Sequence, residues 1–245
     1  MSGYPVHVRA RRDSPPPGRW LWLVKWLLLV PHYVVLFVLW TAFAVLTLFA
    51  YIAVLITGRY PQSIFEFNVG VLRWTWRVGY YGYQVLGTDR YPPFTLAEVP
   101  DYPAGLRIDP PPPRPRWIPL VAWLFAIPHW LLLGALTTAG WQVYRDQNAT
   151  ASTLGVVGVA VLIAAVALAF TGRLPAGLYD LLVGIARWSW RVIAYVALLS
   201  AAYPPLRLDQ GDAEPDDEPR GPQHPSFGAA STRPVMVGAP HWGAS

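Results

Sequence analysis

The chain has 245 residues, of which 54% are hydrophobic and 13% charged. Soluble globular domains carry roughly 25% charged residues, so the composition excludes a water-soluble fold of this size and implies a membrane protein. Cysteine is absent, which removes disulfides, iron–sulfur clusters, thiolate zinc sites and cysteine nucleophiles. The formal charge of +5 divides unevenly: residues 209–245 carry −4 and residues 1–208 carry +9.

Self-similarity organises the rest. Arg19, Trp20, Leu23, Val24, Trp26, Leu27, Pro31 and His32 recur 97 residues later as Arg116, Trp117, Leu120, Val121, Trp123, Leu124, Pro128 and His129. A 17-residue length difference then shifts the offset to 114. Thr57-Gly58-Arg59-Tyr60-Pro61 returns as Thr171-Gly172-Arg173-Leu174-Pro175, and Arg73-Trp74-Thr75-Trp76-Arg77-Val78 as Arg187-Trp188-Ser189-Trp190-Arg191-Val192. Tyr4-Pro5 matches Tyr102-Pro103, and Tyr91-Pro92-Pro93-Phe94 matches Tyr203-Pro204-Pro205-Leu206. The chain is a tandem duplication, with units at 1–100 and 101–208 and a tail at 209–245.

In chain order, Tyr4–Ala10 reads as a short extended segment. The apolar run 20–57, broken only by Lys25, would be about 57 Å long as one helix, nearly twice the roughly 30 Å hydrocarbon thickness. The second unit has apolar runs at 117–140 and 154–171, separated by the polar segment 142–148. Repeat parity therefore favours a transmembrane hairpin in each unit, with a tight turn near Leu39–Phe43 in the first, and about four spans in all. The competing picture is an interfacial helix at 20–30 followed by one tilted span at 31–57. Pro31 and Pro128 free carbonyls inside their helices, and the neighbouring His32 and His129 are expected to bond them. As a polar pair at the repeat interface, the two histidines are also weak candidates for a metal or proton-relay role. Thr57-Gly58-Arg59 and Thr171-Gly172-Arg173 read as helix stops. Tyr91–Leu96, Leu106–Asp109 and Tyr203–Leu208 are further extended segments, expected to pair with Tyr4–Ala10 as a small cytoplasmic sheet. The Pro-, Gly- and acid-rich tail is expected to be disordered.

The segments 64–86 and 178–202 are the most informative. Steps of three and four residues align Glu66, Gly70, Arg73, Arg77 and Tyr81 on one helical face, and Asp180, Gly184, Arg187, Arg191 and Tyr195 on the other copy's face. Trp74, Trp76, Trp188 and Trp190 flank these stripes, as expected of amphipathic helices at headgroup depth. The eight arginines and tryptophans are candidates for binding an anionic lipid or ligand, with Glu66 and Asp180 as charge partners. With four spans, Arg145 stands alone on one side against seventeen arginines on the other, so both termini are expected in the cytoplasm.

Pro-His inside an apolar run, Thr-Gly-Arg-Tyr-Pro, Arg-Trp-x-Trp-Arg-Val and a closing Tyr-Pro-Pro-Phe together resemble the multi-pass membrane proteins, common in actinobacteria, that are grouped as a domain of unknown function. The resemblance implies membrane residence and no established activity. Catalytic signatures, phosphate loops and dinucleotide fingerprints are missing, and no cofactor or metal is implied. The expectation is an all-α integral membrane protein of the cell membrane: duplicated hairpins, two amphipathic interfacial helices and short extended segments. It would act without catalysis, as an accessory or scaffold subunit engaging anionic headgroups. A small lipid-handling or transport protein with an anionic-ligand site at the repeat interface is the alternative. The expected partners are the bilayer and another membrane protein, oligomers are allowed, and nucleic acid is not expected.

Overall fold

The computed structural model describes residues 4–13, 17–18, 20–137 and 155–209. Seven elements follow in chain order: β1 (Val6–Ala10), α1 (Trp22–Thr57), α2 (Gln62–Tyr81), β2 (Ala104–Ile108), α3 (Ile118–Thr137), α4 (Val156–Thr171) and α5 (Ala176–Val196). Two helices are long and apolar enough to cross a membrane, Trp22–Thr57 and Ile118–Leu136, and α4 is a shorter apolar helix.

The first unit corrects the expected hairpin. Residues 38–46 are helical throughout, and α1 runs unbroken for 36 residues. Nothing in Val-Leu-Trp-Thr-Ala-Phe-Ala-Val-Leu turns a chain: there is no Gly, Pro, Asn or Asp to leave the helical region. The hairpin was borrowed from the second unit, where α3 and α4 stand apart. By the repeat offsets, α3 corresponds to the first half of α1 and α4 to its second half, and the 17 extra residues fall between them. Leu133 and Leu136 of α3 share a cluster with Val157 of α4 and with Ile185, Trp188 and Val192 of α5. Together α3 and α4 therefore line α5 as α1 lines α2. The polar segment 142–148 and the expected loop lie outside the described residues.

The extended segments behave in two ways. β1 and β2 pair antiparallel, from Val6 opposite Ile108 to Ala10 opposite Ala104. Val8 and Leu106 are each other's repeat equivalents and face each other at the centre, so a pseudo-twofold axis passes through that pair. Tyr91–Leu96 and Tyr203–Leu208 contain no strand. They pack instead across the two glycines of the stripes, where a Cβ on Gly70 would sit 2.8 Å from Leu96 Cβ and one on Gly184 would sit 3.3 Å from Leu208 Cβ.

The result is three layers. α1 and α3–α4 form an outer layer whose far side is apolar and exposed. α2 and α5 form the middle layer, and the two-stranded sheet lies on the opposite side. Val6, Val8 and Ala10 point into the main core with Trp76, Tyr80, Tyr179, Val183 and Trp190. Trp76 and Trp190 meet edge to face at 6.3 Å where the repeats join.

Both Thr-Gly-Arg motifs end their helices in one way. Gly58 and Gly172 take left-handed backbone, φ 72° and 68°, and donate back to Val54 and Leu168. Thr57 and Thr171 accept from the amides of Arg59 and Arg173. A Cβ on Gly58 would also stand 3.0 Å from the Arg114 carbonyl oxygen. Gly58→Ala is expected to lower stability by about 1–2 kcal/mol, measurable as a reduced thermal midpoint in nanodiscs.

Candidate functional site

The two arginine stripes converge on the sheet, and their side chains cross between repeats. Arg73 of the first unit donates from Nε to the Leu106 carbonyl of the second (2.9 Å). Arg187 of the second unit donates from Nε to the Val8 carbonyl of the first (3.0 Å). Each guanidinium also reaches the segment after its own helix: Arg73 donates to the Leu96 carbonyl and Arg187 to the Asp209 carbonyl, both at 2.9 Å.

The second arginine of each stripe finishes the same strap. Arg77 donates to the carbonyls of Thr95 and Ala97. At the position equivalent to Ala97 the second unit has Asp209, and its carboxylate lies 2.6 Å from the Arg191 guanidinium. Arg77 and Arg191 are each 1% exposed and Arg187 is fully enclosed, whereas Arg73 is half-buried. Burial, with the Arg73 charge beside it, lowers the Arg77 pKa to about 10, which leaves it a cation at neutral pH. Oriented peptide dipoles hold Arg73, Arg77 and Arg187 and a carboxylate holds Arg191, which compensates part of the desolvation of a buried charge.

The tryptophans, histidines and closing tyrosines form a second, matched set. Trp74 donates its indole N–H to His32 Nδ1 (3.2 Å), and Trp188 donates to His129 Nδ1 (3.1 Å). Each histidine therefore ties its long helix to the arginine helix of its own unit. This corrects the expectation that the histidines serve the carbonyls loosened by proline. Tyr91 donates to the Leu28 carbonyl and Tyr203 to the Phe125 carbonyl, each one residue after the carbonyl that its proline frees. Phe94 stacks on His32 at 4.0 Å, and Tyr203 leans on His129 at 5.0 Å. Trp76 donates to the Arg9 carbonyl of β1 (3.0 Å), while Trp190 lies in the core against Trp76.

The acids that open the stripes serve elsewhere. Glu66 accepts from Gln62 (2.7 Å), and Asp180 pairs with Arg12 (2.7 Å). Among the described residues no group of three His, Asp or Glu side chains gathers where it could hold a metal ion. Sequence reasoning missed Lys25, the single lysine of the chain. Its ammonium donates to the Thr88 carbonyl (2.6 Å), pairs with Asp89 (2.9 Å) and lies over the Tyr81 ring. Its repeat equivalent is Ala122, so this anchor belongs to the first unit alone. Arg114 was also missed. It is buried and donates from its guanidinium to the carbonyls of Leu198 and Ser200 in its own unit, while its backbone amide donates to the Gly58 carbonyl of the first.

The motifs that recur between the repeats thus form one interlocking frame. Residues 19–95 and 150–206 match the family described as a domain of unknown function (DUF4389). The chain belongs to this family. The first DUF4389 match covers α1, α2 and the closing Tyr-Pro-Pro-Phe, and the second begins after α3 and covers α4, α5 and the equivalent closing segment. Two tandem copies agree with the duplication read from the sequence. No curated protein matches the chain, and no solved structure does.

Proposed function

We propose that this DUF4389 protein is a non-enzymatic protein of the cytoplasmic membrane, an accessory or scaffold subunit with both termini in the cytoplasm. One observation carries the reading: Arg73, Arg77, Arg187 and Arg191 and the indoles of Trp74, Trp76 and Trp188 donate to the chain's own backbone and side chains, and His32 and His129 each accept from one of those indoles. A catalytic group needs a free acceptor, donor or nucleophile facing substrate, and these side chains are turned inward. The outer layer supports membrane residence, since Phe37, Leu48, Leu131 and Phe170 are all strongly exposed. Contact with anionic headgroups then falls to the exposed arginines at the ends of the apolar helices, Arg59, Arg116 and Arg173, with Trp117 beside Arg116 in sequence.

A second reading, lipid handling, is favoured by a cavity of about 310 Å³ where the repeats meet. Trp40, Phe43, Tyr51, Trp130, Val196 and Ala197 line it. Its walls suit an acyl chain rather than a headgroup.

Mass spectrometry of the protein taken from its own membrane into nanodiscs separates these readings. A stoichiometric protein partner is expected for a scaffold subunit. One retained lipid class without a partner, and lost when the cavity is filled by Ala197→Phe, would replace that reading with lipid handling. If the scaffold reading holds, changing Arg59, Arg116 and Arg173 together to Gln should leave the partner bound and reduce the share of anionic lipid.

A further inference from the structure

We infer that the protein lies in one leaflet, with α1 and α3–α4 parallel to the membrane plane, rather than crossing the bilayer along these helices. The inference rests on the membrane reading above and deepens it.

The geometry of α2 carries the argument. Its Trp74, Thr75 and Val78 face α1: Trp74 bonds His32, Thr75 accepts from Trp40 (3.1 Å), and Val78 packs with Leu29 and Leu36. Its Arg73, Trp76 and Tyr80 face the other way, and they bond the carbonyls of Leu106, Arg9 and Arg11. At 100° per residue these two sets lie on opposite sides of α2. The sheet is thus separated from α1 by the thickness of one helix, and it sits level with residues 32–40, near the midpoint of α1.

That position is incompatible with a perpendicular α1. A helix of 36 residues is about 54 Å long, and centring it in the bilayer would put the sheet in the middle of the hydrocarbon. The sheet and its flanks expose Arg11, Arg12, Glu98, Asp101, Arg107 and Asp109, and charges at that depth are among the costliest groups to insert. Sliding α1 along its axis does not help, because its exposed apolar residues run from Leu23 to Ile56 and one end would then be left in water.

Lying flat removes both conflicts. The outer layer is about one helix diameter thick, roughly 10 Å, which fits within a half-bilayer hydrocarbon thickness of about 15 Å. The middle layer then occupies the headgroup region and the charged sheet faces the cytoplasm. α1 itself has little amphipathic character because its inner face is covered by α2. The three layers together make the amphipathic body that a single interfacial helix makes alone.

The test uses the absence of native cysteine. Single cysteines at Val24, Val34, Val45, Ile52 and Ile56, all exposed along α1, are spin-labelled in liposomes of mixed neutral and anionic lipid. Depth is read from the balance of oxygen and nickel-chelate relaxation. The in-plane arrangement predicts five depths within one leaflet, differing by no more than a helix diameter. A ramp from one headgroup layer through the centre to the other would overturn the inference while leaving membrane residence intact. Failure of the protein to associate with the vesicles would overturn both readings. Because lipid-facing labels leave the interior untouched, a Glu98→Cys variant gives a second reading: it should react with an impermeant maleimide only after cells are opened. Reaction in intact cells would count against the inference.

Discussion

Arg187→Met is expected to be among the most damaging single substitutions in the protein. Arg187 is fully enclosed, and its guanidinium joins the Val8 carbonyl of the first strand to the Asp209 carbonyl that follows the last helix. Methionine fills much of the volume but donates nothing, so at least two buried carbonyls lose their partner at about 1–3 kcal/mol each. Asp209, already committed to Arg191, also loses the donor that fixes its backbone. A loss of about 3–5 kcal/mol follows, a large part of the 5–15 kcal/mol that keeps a typical domain folded. Thermal unfolding in nanodiscs, followed by tryptophan emission, is the measurement.

Two companion variants separate this mechanism from general damage to the core. Arg187→Lys keeps the charge but loses the planar fork that reaches two carbonyls at once, so it should recover less than half of the loss. Arg73→Met removes the equivalent pair of bonds in the first unit. Arg73 is half-buried, so water can reach the abandoned carbonyls and the cost should be clearly smaller. Equal losses at Arg73 and Arg187 would contradict the assignment of the effect to buried, unreplaced hydrogen bonds.

The duplication, the two arginine helices and the glycine stops were legible in the sequence, as was part of the sheet, since the extended segments 4–10 and 106–109 overlap the strands Val6–Ala10 and Ala104–Ile108; each leaves a periodic or repeated mark. The continuity of α1 was not. An apolar run without turn residues is compatible with a long helix or with a hairpin until length and surroundings decide, and here parity with the interrupted second unit pointed the wrong way. The targets of the arginines were invisible for a different reason. They are backbone carbonyls, which every residue carries, so no spacing of side chains signals them. Asp209 shows the limit of composition: it opens an acidic stretch, yet its carboxylate lies inside the fold against Arg191. Its match to Ala97 through the closing Tyr-Pro-Pro motif was the available clue.

Removal of residues 4–11 should have a larger effect than any single substitution, because the strand of the first unit is part of the interior of both. Val6, Val8 and Ala10 are fully buried, and burying a valine side chain contributes about 1.5–3 kcal/mol. The same segment supplies three acceptors: the Val8 carbonyl to Arg187, the Arg9 carbonyl to Trp76 and the Arg11 carbonyl to Tyr80. It also pairs with β2 along its whole length, so its loss turns β2 into an edge lying over two half-covered helices. These contributions share neighbours and do not add simply, but their sum is comparable to the stability of a whole domain. The truncated protein is expected to reach the membrane, because its apolar outer layer is unchanged, and to be cleaved there by added protease under conditions that leave the full chain intact. The second unit should become as susceptible as the first, since its Arg187 has lost an acceptor in the other repeat. Cleavage confined to residues 20–100 would instead mean that the second unit stands without β1, and that the crossed arginine bonds do not hold the repeats together.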